Sequence, residues 1–440
     1  MSLFKQGLRD SSVYMLAALF VHSLALIVIP ILTRTFSVEQ FAIYDLFILT
    51  NTFLIAVVGL GMDSGLAILL AESVSDQKKL SFLFVFTLVV NLIVTVITWL
   101  IFSFFIHLYF VILFSKEIWH LLFIYTFFSL ITYNVFNFVK WIGKAKQAAL
   151  IQVLSALFGV LIGLILVLFV KTSIVFYFVG LIIGSVIGSL LSLFIVRDYI
   201  INFSLIHDWK KLVKELFGLS LPYMPSYIGH YLFQFTDRMI VLYLLDMKTV
   251  GIYALIARVA TIPSLLVHIT STGFLPLMMK NYNSSDGAQL IRVIFKYYFI
   301  LIALAFILFI FLSNWIIIIF GGNEEYINHS YLLAVLAASV LFMQSVRLTG
   351  IGFNIARKTI QVLYITYFAL IINLSLSYIL GQFWGLDGIV LATLIASFFR
   401  SYIHNYFSEK VYSFDYQLRY IIVSFIFVMS IALILTYYNN

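Results

Sequence analysis

Runs of about twenty apolar residues recur along this whole chain, as in LAALFVHSLALIVIPIL (16–32) and FLFVFTLVVNLIVTVITWLIFSFFI (82–106), and they leave few folds open. In lipid every backbone N–H and C=O must be satisfied within a helix or a closed barrel. Barrel strands alternate apolar and polar residues over about ten positions, and these runs do not alternate. The chain therefore reads as all-α, a polytopic membrane protein. Composition agrees: 63% of its 440 residues are hydrophobic and 10% charged, against about 25% charged in soluble domains. The first run, from residue 12 to about 33, is too long for a signal-peptide core and has no small-residue cleavage site after it, so it is expected to be retained. With no cysteine, disulfides, thiol catalysis and cysteine-based metal sites are excluded.

Thirteen spans are expected, over residues 12–33, 41–70, 81–106, 118–140, 148–170, 174–196, 215–244, 250–279, 290–319, 328–353, 359–380, 385–407 and 418–437. Lysine and arginine concentrate in cytoplasmic loops. With the amino terminus inside, nineteen of the 26 basic residues fall at the cytoplasmic face, Arg400 among them. Only Arg34, Lys116, Lys171 and Lys248 fall on the other face, and Arg238, Arg258 and Arg347 lie inside spans. The carboxyl terminus is then extracytoplasmic. The net charge of +8 follows from this loop bias, and no nucleic-acid partner is expected.

A weak internal repeat organises the spans. At a constant offset of 209, Ser11, Tyr14 and Met15 match Ser220, Tyr223 and Met224, while Ile43, Tyr44 and Leu46 match Ile252, Tyr253 and Leu255. Span one thus maps on span seven and span two on span eight. Six spans per repeat is an even number, so both halves enter the membrane from the same side, as two pseudo-symmetric six-helix lobes. The expected division is an N-terminal lobe over 1–196, a cytoplasmic linker over 197–214, a C-terminal lobe over 215–410 and a thirteenth, C-terminal transmembrane helix within 411–440. Two such lobes are the usual construction of an alternating-access transporter.

Polar residues inside spans mark the candidate site, because each costs free energy unless it faces a cavity or a partner. Span seven carries Ser226, His230, Gln234 and Asp237 along one stripe, span eight Arg258, Thr261, His268 and Thr272, and span ten Gln344, Arg347 and Asn354. Span four offers Thr126, Ser129, Tyr133, Asn137 and Lys140, and span two offers Asp63. Serine, threonine and asparagine at such positions commonly bridge helices, and buried histidines commonly fill hydrogen-bonded packing roles. Arginine stays protonated, so it must meet a carboxylate or an anion. Adjacent on one helix, Asp237 and Arg238 are expected to point in different directions. Arg238, Arg258 and Arg347 outnumber Asp63 and Asp237, and Lys140 adds a cation, so the cavity is expected to be cationic. Such a cavity suits an anion, above all a phosphate, which the planar guanidinium grips with two hydrogen bonds. The expected substrate-binding residues are Arg258, Arg347, Arg238, Lys140, His268 and Gln344. Asp63 and Asp237 are the carboxylates placed to couple transport to protons or sodium. Pro30, Pro222, Pro225 and Pro263 are candidate hinges. No phosphate-binding loop and no His or carboxylate metal spacing appears, so no cofactor or metal is expected. The outer loops, near 107–118 and 321–327, are short for a membrane enzyme.

Several stretches carry a family resemblance: PILTRTFSVEQFAIYDLFIL, GLGMDSGLA, LPYMPSYIGHYLFQFTDRMIVLYLL followed by VGIYALIARVATIPSLL, and GLDGIVLATLIA. In order and spacing the chain resembles Wzx-type polysaccharide flippases of the multidrug/oligosaccharidyl-lipid/polysaccharide (MOP) superfamily. The resemblance implies a MATE-like V-shaped pair of lobes in a bacterial inner membrane. It also implies a flippase that moves undecaprenyl-diphosphate-linked oligosaccharide, an O-antigen, capsule or exopolysaccharide repeat unit, from the cytoplasmic to the outer leaflet. Its partners would be membrane lipids, H+ or Na+ as coupling ion, and a polysaccharide polymerase with its chain-length regulator. Arg34 matches the family's TR motif, Asp63 the acid after the span-two glycines, and Asp237 with Arg238 its DR pair. The chain departs from the pattern after Asp63, where LAILLAE has no basic residue. A cation-coupled multidrug exporter of the same superfamily and a lipid II flippase are the alternative readings. The first would be expected to carry a buried carboxylate in span one, and residues 12–33 contain no Asp or Glu; the second follows a fourteen-span plan, which thirteen spans do not supply.

Overall fold

The computed structural model describes residues 2–73, 76–109, 114–356 and 358–439, and all regular structure among them is helical. The helices are α1 (Ser2–Thr35), α2 (Val38–Val58), α3 (Met62–Glu72), α4 (Gln77–Tyr109), α5 (Lys116–Trp141), α6 (Ala145–Ile165), α7 (Ile174–Ile195), α8 (Arg197–Ile201) and α9 (Trp209–Ser220). After them come α10 (Met224–Leu244), α11 (Met247–Val259), α12 (Ile262–Asn281), α13 (Ser285–Phe320), α14 (Glu324–Ile327), α15 (Leu332–Thr349), α16 (Ile351–Ala356), α17 (Thr359–Val411) and α18 (Arg419–Asn439). Part of the expected outer loop, residues 110–113, lies outside the described residues, as do Arg357 and the side chains of Lys5, Arg9, His268, Thr272 and Lys280.

Ten of the described helices are long and apolar enough to cross a membrane, against thirteen expected spans, and the differences have local causes. Expected spans eleven and twelve form α17, whose helical course breaks at Trp384 and Gly385. Gly385 has φ 54° and ψ −132°, a conformation that glycine alone adopts without strain. The two limbs pack on each other, since a Cβ on Gly388 would collide with the Leu380 carbonyl. Expected span two is interrupted at Gly59–Leu60–Gly61, with Leu60 at φ 51° and Gly61 at φ 65°, and expected span eight is interrupted between α11 and α12, just before Pro263. Expected span seven begins in α9, passes through a short 3-10 turn at Leu221–Tyr223 that carries Pro222, and continues as the polar α10.

The helices form two compact units. The first comprises the chain up to Val28 and Ile43–Tyr231, the second Ile29–Ala42 and Leu232–Asn440. The division therefore falls within α1, α2 and α10, not at 197–214, which belongs to the first unit. Side-chain packing explains it. Leu216 of α9 is fully buried in the first unit's core with Leu66, Leu83 and Phe138. A Cβ on Gly65 of α3 would collide with Ser220 at the end of α9. In the second unit, Thr33 Oγ1 donates to the Phe320 carbonyl at 2.6 Å and Arg34 Nη2 to the Ile319 carbonyl at 2.9 Å, tying the end of α1 to the end of α13. Pro30, which cannot donate a backbone hydrogen bond, lies two residues after the division of α1.

Each unit has its own means of close packing. In the first, α6 and α7 meet through glycines: a Cβ on Gly180 would collide with the Gly163 backbone, and one on Gly184 with the Gly159 backbone. Small residues at four-residue spacing let two helices touch where apolar burial from lipid gives no drive. Phe47 stacks on Phe178 at 4.0 Å in the same unit. The second unit relies on aromatics, with Phe398 stacked on Phe425 of α18 at 3.9 Å and Phe295 on Tyr416 at 4.3 Å. The thirteenth expected helix, α18, is thus packed into this unit.

Candidate functional site: two acid–tyrosine centres

In the first unit the interruption before α3 sets the site. Leu60 and Gly61 take up left-handed backbone, and α3 restarts with Asp63 in its first turn, where a carboxylate is favoured by the exposed N–H groups. The Tyr227 hydroxyl lies 3.0 Å from Asp63 Oδ2 and donates to it, and the same hydroxyl is 2.9 Å from Ser64 Oγ. Tyr133, Tyr231 and Lys140 are within electrostatic reach of the carboxyl. Lys140 Nζ donates to Asn137 Oδ1 at 2.8 Å and lies 4.5 Å from the centre of the Trp141 ring. Elsewhere on α5, Thr126 Oγ1 donates to Asn51 Oδ1 at 2.9 Å and Asn134 Oδ1 accepts from Asn91 Nδ2 at 2.9 Å, both between helices, while Asn137 Nδ2 donates back to the Tyr133 carbonyl at 3.1 Å.

In the second unit Asp237 is 3% exposed, and its Oδ2 accepts a hydrogen bond of 2.9 Å from Tyr253, the tyrosine of the repeated Ile-Tyr-x-Leu signature. Arg238 lies over that same ring at 4.9 Å and donates to the Gln234 carbonyl at 3.2 Å. Asp237 and Arg238 are adjacent on α10 and share one neighbour, Tyr253. They leave α10 in different directions, yet the wide Tyr253 side chain offers its hydroxyl to one and its face to the other. Asn373 and Thr393, one from each limb of α17, stand close to the carboxyl. Oδ1 of Asp237 and Oδ1 of Asn373 have no hydrogen-bond partner in the described residues. The result is a dry pocket of oxygen atoms with one arginine beside it.

The other expected site residues are spread through the second unit. Arg258 ends α11 and is half-buried, Gln344 is half-buried on α15, and Arg347 in the last turn of α15 is exposed. His268 is on α12, its side chain outside the described set. The structure brings Asp63 near Lys140, and Asp237 near Arg238. It also gathers residues that the sequence reading passed over. Tyr227, Asn373 and Thr393 are each a polar group within a long apolar span, which is the signal that would have found them. Arg400 lies within expected span twelve and within α17, which runs on to Val411.

A family model described as "Polysaccharide biosynthesis protein" matches residues 8–282, more than half of the chain. The chain belongs to this polysaccharide biosynthesis protein family. Its fold is similar to that of solved MATE transporters. An inward-facing multidrug resistance MATE family transporter of the MOP superfamily gives a TM-score of 0.73 at 16% identity, over 90% of this chain and 94% of that one. MATE in complex with MaL6 gives 0.65 at 16% identity over 93% and 96%, and MATE in the bent conformation 0.59 at 16% over 96% and 95%. No curated protein matches by sequence. At this identity the structural likeness establishes the fold alone, a multi-pass helical fold like that of the MATE structures.

Proposed function

We propose that this family member is a flippase that moves a polyprenyl-diphosphate-linked oligosaccharide, with undecaprenol as the lipid, from the cytoplasmic to the outer leaflet of a bacterial inner membrane. The observation that carries the reading is the combination of a polysaccharide-biosynthesis family match with a transporter fold. Polysaccharide assembly needs one step that such a fold performs, the passage of a charged, sugar-bearing lipid head through the bilayer. Arg258, Arg347, Arg238, Lys140, His268 and Gln344 are the proposed contacts for the diphosphate and proximal sugars, held by charge-assisted hydrogen bonds while the polyprenyl tail stays in lipid. On an inside-negative membrane each uncompensated negative charge moved outward gains about 2.3 kcal/mol per 100 mV.

Asp237 is the proposed coupling group. A buried carboxyl with Asn373 and Thr393 beside it and an oxygen lacking a partner can take a proton, or a sodium ion held by oxygens. Asp63, more open and surrounded by hydroxyls, is the second candidate. The lobes 1–196 and 215–410 are proposed to descend from one duplicated six-helix unit, with α18 added.

The experiment is a deletion strain with and without plasmid rescue, scored for surface glycan and for lipid-linked intermediate. The reading predicts loss of surface polysaccharide and accumulation of the undecaprenyl-linked oligosaccharide on the cytoplasmic side. Arg258→Ala and Arg347→Ala should each fail to rescue while the protein stays in the membrane. Multidrug export, the activity named for a structural relative, is the second reading. Normal glycan with increased sensitivity to cationic drugs would decide in its favour.

A further inference from the structure

A basic cluster lies in the second unit outside the Asp237 centre. Arg347 is in the last turn of α15, and Arg400 and His404 are one turn apart on the second limb of α17. Arg400 is within electrostatic reach of Arg347, and His404 of Arg400. Beside them opens a cavity of about 400 Å3 whose wall includes Ser271, Arg347, Gly350, Phe353, Asn354 and His404. No carboxylate is among its described lining residues.

The wall is built around the histidine. His404 is 5% exposed, and Phe353 meets its ring edge-to-face at 4.9 Å. A Cβ on Gly350 would collide with the imidazole, so that glycine is what lets the ring sit there. His404 Nδ1 and Arg400 Nε both lack a hydrogen-bond partner in the described residues. Buried polar atoms are nearly always paired, so two unpaired ones on neighbouring basic side chains leave polarity uncompensated just behind the cavity wall. Loop bias does not explain the cluster, because Arg400 and His404 lie inside a helix and not in a basic loop.

We infer that this cavity is an anion site for a phosphoryl group, with Arg347 gripping it at the open mouth, the His404 ring forming the wall, and Arg400 supplying charge from behind. The guanidinium fork matches phosphoryl oxygens, and an anion relieves the mutual repulsion of the two arginines. The phosphoryl group could belong to a lipid-linked diphosphate or to a soluble one. Assigning it to the lipid rests on the flippase reading; the anion site itself does not.

The test is equilibrium binding of geranylgeranyl diphosphate and of inorganic pyrophosphate to the full chain in detergent, by calorimetry, alongside thermal unfolding of each variant. Wild type is expected to bind diphosphate. Arg347→Gln should weaken it by about tenfold or more, the loss of one charge-assisted hydrogen bond, and Arg400→Gln, which removes a charge behind the wall, should weaken it as well. Gly350→Ala, which displaces the imidazole, should weaken it too. Arg400→Lys should retain part of the affinity, and Arg292→Gln, a basic residue of α13 away from the cavity, should leave it unchanged. Tighter binding of the prenyl diphosphate supports the site with a lipid source. Equal binding of both supports the site with a soluble source and withdraws its support from the flippase reading. Absence of binding by wild type, or unchanged binding by folded Arg347→Gln and Gly350→Ala proteins, overturns the proposal. If the deletion strain has normal glycan while Arg347-dependent binding persists, the flippase reading falls and the anion site stands.

Discussion

The two units each hold a carboxyl paired with a tyrosine hydroxyl, at 3.0 Å for Asp63 with Tyr227 and 2.9 Å for Asp237 with Tyr253, but in opposite surroundings. Asp63 stands at the restart of an interrupted helix, half-exposed, ringed by tyrosines and within reach of Lys140. Asp237 is in mid-helix, sealed, with Arg238 across the Tyr253 ring and amide and hydroxyl groups from both limbs of α17 beside it. Geometry of the pair is therefore not what separates a polar rim from a candidate coupling centre. Desolvation is, because a dry carboxyl responds strongly to a proton or cation, whereas a wet one is already compensated by water.

The comparison can be broken most forcefully at Asp237. Asp237→Ala leaves the buried Tyr253 hydroxyl without its acceptor and removes the negative charge beside Arg238. It should cost about 1–3 kcal/mol, read as a lowered unfolding temperature, together with loss of export in the rescue assay. Asp237→Asn should keep most of the stability and still lose export, which separates packing from coupling. Asp63→Ala should have a smaller stability effect, about 0.5–1.5 kcal/mol, because water can reach the orphaned Tyr227 hydroxyl. Equal losses at Asp63 and Asp237 would erase the distinction drawn between the two centres.

A subtler effect should come from the turn that carries Tyr253. Asp246 caps α11 by accepting from the Thr249 amide at 2.7 Å, and that bond holds its carboxyl below the usual carboxylate range. Asp246→Ala should cost about 1 kcal/mol and disturb the Asp237 centre while sparing Asp63. Because the folded value is lowered, the cap's contribution is present above the ordinary pKa of 3.8 and is lost as pH falls through the lowered value. Lys248 behaves oppositely. Its hydrogen bond and ion pair with Glu325, at 2.9 Å, raise its pKa, so the contribution is present below 10.5 and is lost as pH rises through the raised value. Unfolding scans should therefore show stability insensitive to these two groups near neutral pH, and Lys248→Met should be the mildest change of all, as befits an exposed pair.

Much of this was legible before any coordinates. Periodic apolar runs announced the helices because lipid leaves the backbone no other choice, and the Ile-Tyr-x-Leu repeat flagged Tyr253, which proves to be the pivot between Asp237 and Arg238. Asp237 and Arg238 leave α10 in different directions, as adjacency on a helix implies, but that geometry does not say that one long neighbouring ring meets them both. The compact units also divide elsewhere than at the expected linker, 197–214. A charged stretch marks where the chain is wet, whereas the compact units are set by what Leu216, Thr33 and Arg34 touch. Gly159, Gly163, Gly180 and Gly184 were visible as letters, but their role appears only when two backbones meet.

The central claim is that the protein carries a diphosphate-linked sugar lipid across the bilayer, and reconstitution tests it most directly. Purified full chain in proteoliposomes would be supplied with a fluorescent polyprenyl-diphosphate oligosaccharide in one leaflet, and its accessibility to an impermeant quencher would be followed for wild type, Arg258→Ala and Asp237→Asn. The account predicts transbilayer movement with wild type and little above protein-free vesicles with either variant. Movement at the same rate with all three proteins, or none with wild type, would contradict it.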